Sequence, residues 1–424
     1  MKRLAHRLPV VLLLASLGCA GPSSRTESAP QAYRAYVVSG SGEEIPFLLE
    51  LPANCNTHSA AIVNGAERIP VLCQRFGNRL LLDFPVYGTR ISAEVADGGG
   101  LAGEWSHSVG ALRDRLRFGA RPLATLDPAE RFPRSAVKTT ESKKGGGDDP
   151  SGTWRMTFAT HGSAKGVFTQ VAPGIVHGTA EIVSEYGDLR FMAGNIHGAD
   201  MWLSAFDGAQ AYVLRGRLGA DGTLQGEIIS GGGVHDMFVA ERSRDFDVSN
   251  PLQQVRVVST NRRIDFAPLR MPRYAGKAVI LELFGTWCST CNDLAVLLAE
   301  LHREHRDEGL EIVSLAYEAS ADKAYTRARL NAYRAKHGLA WETILADGPA
   351  NDLLGPAELS PMDGVPVTLF LNRDRTISAI YTGFWGPATG ATHRKAVDTF
   401  RRLTREILAS VSAPPLPSSP RRAP

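Results

Sequence analysis

Two cysteines three positions apart, Cys288 and Cys291, are the residues of this chain best suited to chemistry. Thiols at that spacing can close into a disulfide and pass it on, so redox exchange is the chemistry to expect. Val279 to Phe284 is an apolar run rich in β-formers, and Gly285-Thr286 breaks it immediately before Trp287 and Cys288. From Asn292 to His302, Leu294, Leu297, Leu298 and Leu301 recur at i, i+3, i+4 and i+7, one apolar face of a helix. The pair therefore opens a helix at the end of a strand. Free N–H groups and the positive end of the helix dipole favour a thiolate there and lower the pKa of the first cysteine. That makes Cys288 the nucleophile. Cys291, one turn further in and pointing toward the helix body, is placed to attack a mixed disulfide on Cys288 and release the partner.

The chain around this pair has 424 residues, 43% of them hydrophobic, which is too long for one ordinary domain and enough for two substantial cores. A formal net charge of +3, with basic residues scattered and partly spent on the tails, gives no footprint for nucleic acid. Residues 1–18 read as an export signal: MKRLAHR is a positive n-region and LPVVLLLASLG a short apolar stretch. That stretch falls short of the ~20 residues a membrane-spanning helix needs. SLGC at 16–19 resembles a bacterial lipoprotein signal, although Ser16 stands where Leu is usual; the resemblance makes Cys19 the lipid-bearing residue, with simple cleavage as the alternative. Residues 19–32 then form a polar tether between anchor and fold.

Of the five cysteines, Cys55 and Cys73 remain. In an oxidising compartment they read as a structural disulfide, or alternatively as a second redox relay feeding Cys288. They lie in a β-rich region, residues 33–242, whose short apolar runs are punctuated by glycine and interrupted by a flexible connection over about 129–150. LLLDFPVYGTRISAEVADGGGLAGEW and MWLSAFDGAQAYVLRGRLGADGTLQGEII share an order of strand, turn, longer strand, D-G turn and L-x-G-E strand. Duplication explains this, and so does generic hairpin chemistry. Either way an antiparallel barrel or sandwich is expected, a single unit whose halves pair. His161, His177, His197 and His235 follow no zinc spacing, and Gly231 to Gly233 lack the context of a phosphate loop, so neither metal nor cofactor is expected.

Residues 255–411 change to an α/β pattern. Strands are expected at 278–284, 310–317, 341–346, 368–372 and 376–381, helices at 288–305, 320–336 and 392–409, and a disordered Pro-rich tail at 412–424. W-C-x-x-C behind an apolar strand, followed about 75 residues later by a Gly-x-Pro-x-x-x-Phe segment from Gly364 to Phe370, resembles the thioredoxin fold in its TlpA/ResA-type form, bacterial thiol-disulfide oxidoreductases. IDFAPLRMPRYAGKAVILELFGTWC also resembles that family, and IYTGFWGPATG a variant of it with an N-terminal β domain. The resemblance covers about 150 residues and implies that Trp287, Cys288 and Cys291 form the redox motif and that Pro366 is the cis-proline lining the groove for an extended substrate segment. Over the β region it is carried by IVNGAER, MAGNIHG and LSAFDG, which bring no chemistry.

Two departures matter. Ser289-Thr290 replaces the Gly-Pro of thioredoxin proper, so the motif does not separate reductant from oxidant. Glu282 stands six residues before Cys288, where thioredoxins hold a buried Asp that helps move the proton of the second cysteine. A carboxyl in an apolar strand is desolvated and its neutral form favoured, which suits a proton relay; the alternative is a strand-end Glu282 that reaches water. The expectation is an envelope-anchored oxidoreductase acting on protein thiols and disulfides, as a reductant fed by a membrane thiol donor. A lipoprotein whose β domain does the work, and a peroxiredoxin-like peroxidase, are the competing readings. For the latter, no Pro-x-x-x-Thr-x-x-Cys setting precedes Cys288.

Overall fold

The computed structural model describes residues 29–107, 115–135, 149–182, 187–246, 263–264, 266–318, 320, 322–346 and 364–410. The export signal, Cys19 and the C-terminal tail lie outside them. So does most of the connection expected over 129–150.

Eight strands, β1 (Gln31–Val38), β2 (Glu44–Leu51), β3 (Ala60–Asn64), β4 (Glu67–Phe76), β5 (Arg79–Phe84), β6 (Thr89–Val95), β7 (Leu101–His107) and β8 (Arg115–Leu123), pair in chain order, and β8 returns to β1 to close a barrel. Residues alternate inward and outward, as along β5 and β6, where Leu80, Leu82, Phe84, Ile91 and Ala93 are buried. β1 begins inside the expected tether, and Ala32 is already buried. A second antiparallel sheet comprises β9 (Gly152–Phe158), β10 (Gly162–Ala172), β11 (Ile175–Ile182), β12 (Gly187–Asp188), β13 (Met192–His197), β14 (Asp200–Phe206), β15 (Ala211–Leu218), β16 (Leu224–Ser230) and β17 (His235–Arg242). Pairing of β10 with both β9 and β11 closes it into a ring, with β12 a short addition on β11.

The halves therefore do not pair into one unit. Each closes on itself, and among the described residues no strand of one sheet pairs with a strand of the other. Eight strands are enough to close a barrel, and closure removes the edges that would otherwise pair between halves. The two similar segments correspond to β5–β7 and β14–β16, the same places in the two rings. In both, the glycine of L-x-G-E sits where a Cβ would overlap a carbonyl oxygen on the neighbouring strand: Gly103 against Ser92 and Gly226 against Arg215. Matching place and matching constraint favour duplication over generic hairpins.

Phe206, at the end of β14, joins the barrels by stacking on Phe47 at 4.4 Å and meeting Phe84 edge-on at 5.9 Å. The start of the expected flexible connection is pinned between them. Arg131 and Phe132 are buried; Arg131 donates to the carbonyls of Pro46, Val63 and Ser204, and Phe132 N–H to Asn195 Oδ1 at 2.9 Å. A guanidinium taken out of water requires such acceptors on every side, which fixes the segment.

The remaining sheet has the order β20 (Glu342–Leu345), β19 (Leu310–Ala316), β18 (Ala278–Phe284), β21 (Val367–Leu371), β22 (Ile377–Thr382), with β18, β19 and β20 parallel and β21 antiparallel to both its neighbours. Three helices accompany it, α1 (Ser289–His305), α2 (Lys323–His337) and α3 (Ala391–Ala409). Ile280, Phe284, Ile312 and Phe370 on one face pack with Leu294, Leu298, Leu301, Tyr333, Phe400 and Ile407 of the helices. Val279, Leu281, Leu283, Val313 and Leu369, on the other face, pack with Ile264, Phe266, Leu269 and Tyr274. Asp322 caps α2 by accepting from the N–H groups of Ala324 and Tyr325, and Gly338, at φ 63°, ends it. Among the described residues no helix is long and apolar enough to cross a membrane.

Cys55 and Cys73 are disulfide-bonded within the first barrel's core, their Cα atoms 4.8 Å apart. Replacing both with alanine should lower the unfolding free energy by about 2–5 kcal/mol in denaturant titrations. The exchange activity of the folded fraction should be unchanged, because the bond belongs to the barrel; loss of that activity in folded protein would instead make the pair a relay.

Candidate active site

The sulfur of Cys288 takes the place of a capping oxygen. Cys288 has extended backbone (φ −87°, ψ 118°) at the N-cap of α1, and its Sγ accepts from Cys291 N–H at 3.2 Å. Thr290 Oγ1 is 3.3 Å away, and the carbonyl oxygen of Val365, which precedes the cis-proline Pro366, is 3.6 Å away. Cys288 is 7% exposed and Cys291 fully buried, and both are free thiols. Burial pushes the Cys288 thiol up, but hydrogen bonds from the Cys291 thiol, the Thr290 hydroxyl and the Cys291 N–H outweigh it and hold Cys288 below the usual thiol range. Burial drives Cys291 well above that range, and the hydrogen bond and charge of Cys288 add to it. One turn of helix thus gives two thiols opposite tendencies.

Glu282 stands on β18, six residues before Cys288, and its charge acts on Cys291. It shares its register with Ser314 of β19 and Thr368 of β21, so it occupies the middle of the sheet, fully buried, and does not reach water. Ser314 Oγ donates to Glu282 Oε2 at 2.6 Å and itself receives the Trp341 indole N–H at 2.8 Å. Oε1 has no hydrogen-bond partner among the described residues. Burial pushes the carboxyl up to about 7, against the pull of the Ser314 hydroxyl, and its charge contributes to raising Cys291. A buried carboxyl half-ionised near neutrality can take up and return a proton.

Trp287, 36% exposed, is tied down through its indole N–H to the Tyr317 carbonyl at 2.9 Å. Trp287 thus precedes Cys288 in the chain, the carbonyl before Pro366 reaches its sulfur, and the charge of Glu282 acts on Cys291. Sequence reasoning missed the contacts that hold this loop. Thr286 donates from N–H and hydroxyl to Glu318 at 2.8 and 2.9 Å; Glu318 pairs with Arg329 of α2 at 3.3 Å; and Arg329 donates to the Val86 carbonyl of the first barrel. Tyr333 Oη donates to the Cys291 carbonyl at 2.9 Å, and Asn292 Nδ2 to that of Cys288 at 3.0 Å. Ser289, between the cysteines, donates to Asp207 of the second barrel at 2.7 Å. Asp207 belongs to LSAFDG, a segment read as bringing no chemistry. Among the described residues no group of three or more His, Cys, Asp or Glu is placed to hold a metal ion.

The chain matches no protein-family model and no curated protein. Solved structures of thiol:disulfide interchange proteins and related oxidoreductases are similar to part of the chain. A thioredoxin family protein of that kind from Chlorobium tepidum is 16% identical, with a TM-score of 0.24 over 32% of this chain and 82% of that one. A secreted disulfide oxidoreductase from Mycobacterium tuberculosis, homologous to E. coli DsbE, is 16% identical, with a TM-score of 0.25 over 35% of this chain and 96% of its own. A DsbF homologue from Corynebacterium diphtheriae is 19% identical, with a TM-score of 0.24 over 30% and 73%. At such TM-scores the functional reading rests on the geometry of the site itself.

The raised Glu282 carboxyl has a consequence for stability. It binds its proton more tightly folded than unfolded, so its contribution is fully present below about 4.5 and is lost as pH rises through about 7. Over that window the wild type should lose on the order of 3 kcal/mol that Glu282→Gln retains. Denaturant unfolding at several pH values should show a flatter profile for the variant; identical slopes would mean that Glu282 titrates as a solvated carboxyl.

Proposed function

We propose that the chain is an envelope-anchored thiol-disulfide oxidoreductase that reduces protein disulfides through its Trp-Cys-Ser-Thr-Cys motif. In this reading residues 255–411 form a thioredoxin-type module, residues 33–242 a β region, and Cys19 the lipid attachment. The observation that carries it is the hydrogen bond of Cys291 N–H to Cys288 Sγ at the start of α1, with Cys291 buried behind. The Cys288 thiolate attacks one sulfur of a partner disulfide and expels the other as a thiolate, leaving a mixed disulfide. Cys291 gives its proton to Glu282, attacks Cys288 Sγ and expels the partner's second thiolate. The chain is left with a Cys288–Cys291 disulfide, and the partner has gained two electrons and takes up two protons, one by way of Glu282.

Glu282 is the acceptor for the Cys291 proton when the chain begins as a dithiol and, along the same path, its donor in the reverse direction, so the reducing direction is decided by the reduction potential of the pair. A membrane thiol relay then resupplies electrons.

Cys291→Ser should keep the attack and lose the escape, accumulating a reductant-sensitive mixed disulfide through Cys288 with protein partners, while Cys288→Ser should trap nothing. Trapping by Cys288→Ser alone would reverse the assignment. The reduction potential of the pair should fall toward the reducing end of the range from about −270 to about −120 mV; a value at the oxidising end would make the chain an oxidant.

A further inference from the structure

We propose that Asp207 and Arg190, both from the second barrel, are positioning residues of the redox centre, acting through Ser289 and Asp293 to set the reactivity of Cys288. The inference rests on Cys288 and Cys291 being the redox pair. Asp207 is buried in the β14–β15 turn, where its Oδ1 accepts the N–H groups of Ala209 and Gln210 at 2.9 and 2.7 Å. Its Oδ2 is thereby aimed at α1 and receives the hydroxyl of Ser289 at 2.7 Å. Arg190 Nε lies 3.3 Å from the same oxygen, and the guanidinium continues to Asp293, the second residue after Cys291, with Nη2 3.4 Å from Oδ1 and Nη1 paired to Oδ2. Arg190 is a non-glycine residue at φ 62°, held there by its N–H to Asp188 Oδ1 at 2.8 Å; Asp188 Oδ2 takes the Gly386 N–H at 2.7 Å. Asp207, Arg190 and the partly exposed Asp293 therefore form a row of alternating charge along the first turn of α1, with Asp188, Glu67 and Lys336 the other charged groups facing it.

Such a row acts on a thiolate in two opposed ways. Its carboxylates repel it, and Asp293 in particular pushes the Cys288 thiol up. Arg190 cancels that repulsion, and Asp207 fixes Ser289 and with it the turn that aims Cys291 N–H at the sulfur. In a buried setting these charges are poorly screened, so removing one sign exposes the other. Burying so many charges gives less stability than apolar packing of the same volume would, so stability alone is a weak account of the row.

The test compares full-length variants by the pH dependence of Cys288 alkylation and by equilibrium with glutathione. Asp207→Asn keeps the shape and, with its oxygen on the Ala209 and Gln210 N–H groups, turns its amide to the Ser289 hydroxyl as a donor; loss of the charge should lower the Cys288 pKa by about half a unit, a roughly threefold gain in alkylation rate below the pKa, and make the pair more oxidising. Arg190→Met should move both quantities the opposite way, Arg190→Lys should restore them, and the double variant Asp207→Asn, Arg190→Met should return toward wild type. A purely structural clamp predicts lower melting temperatures with the Cys288 pKa unmoved, or shifted in the same direction by both single variants, and either result overturns the proposal. If Arg190→Met does not fold, Asp207→Asn decides alone, and no fall in pKa rejects the idea. The readouts separate this inference from the functional one: the Cys288 pKa can be measured whether or not the chain turns over a substrate, and absent exchange in wild type would count against the oxidoreductase only.

Discussion

The hydrogen bond from Cys291 N–H to Cys288 Sγ is the contact on which the site depends. It makes a sulfur the cap of α1, and a cap is where a helix concentrates its unpaired donors and the positive end of its dipole. A thiol that is 7% exposed would be driven neutral by desolvation were it not for the Cys291 thiol, the Thr290 hydroxyl and this N–H, in that order. The same turn carries Cys291 beneath its neighbour, where burial and the adjacent sulfur oppose ionisation. The opposite tendencies of the two thiols thus follow from where each lies on a single helical turn, with the buried Glu282 carboxyl pushed up to about 7 on the strand before it.

Much of this was legible in the sequence because it is local. The strand read at 278–284 is β18 to the residue, and the helix read from 288 is α1 with Cys288 as its cap. Hydrophobic period, a glycine break and a leucine stripe each act over a few residues and are visible without a partner. Closure of the barrels was not legible, because the pairings that decide it, β8 with β1 and β10 with β11, look like any other alternating pair. Nor was the row around Arg190, whose members Asp188, Asp207 and Asp293 come from a short strand, a turn and a helix. The sequence also allowed Glu282 to reach water, since its distance from the strand end does not reveal that Ser314 and Thr368 flank it in a closed sheet.

The three segments of the β region that resembled known sequences without offering chemistry all lie where the parts meet. In IVNGAER, Asn64 Nδ2 donates to the Phe206 carbonyl at 2.9 Å and Glu67 lies 3.9 Å from Arg190. In MAGNIHG, Asn195 and His197 hold the backbone of Phe132. In LSAFDG, Phe206 joins the barrels and Asp207 reaches the cysteine turn. A polar residue outside a pocket is easily read as surface, but a carboxylate or amide whose partners are buried backbone groups of another sheet constrains orientation far more tightly than apolar contact does.

That constraint decides what surrounds the cysteine turn. The Ser289 side of the turn is closed by Asp207, and Asn292 is buried with it. The first barrel adds a second clamp through Arg329 and the Val86 carbonyl, behind the Thr286–Glu318 contact. Trp287 is the exposed aromatic beside Cys288, and the Val365 carbonyl lies on the sulfur's other flank. One flank of the cysteine turn is therefore closed by a barrel, while Trp287, next to Cys288 in the chain, is 36% exposed. Hydrogen bond and ion pair alike fix the same turn of α1 against a second, independently closed sheet, so the placing of the cysteines follows from where that sheet is held.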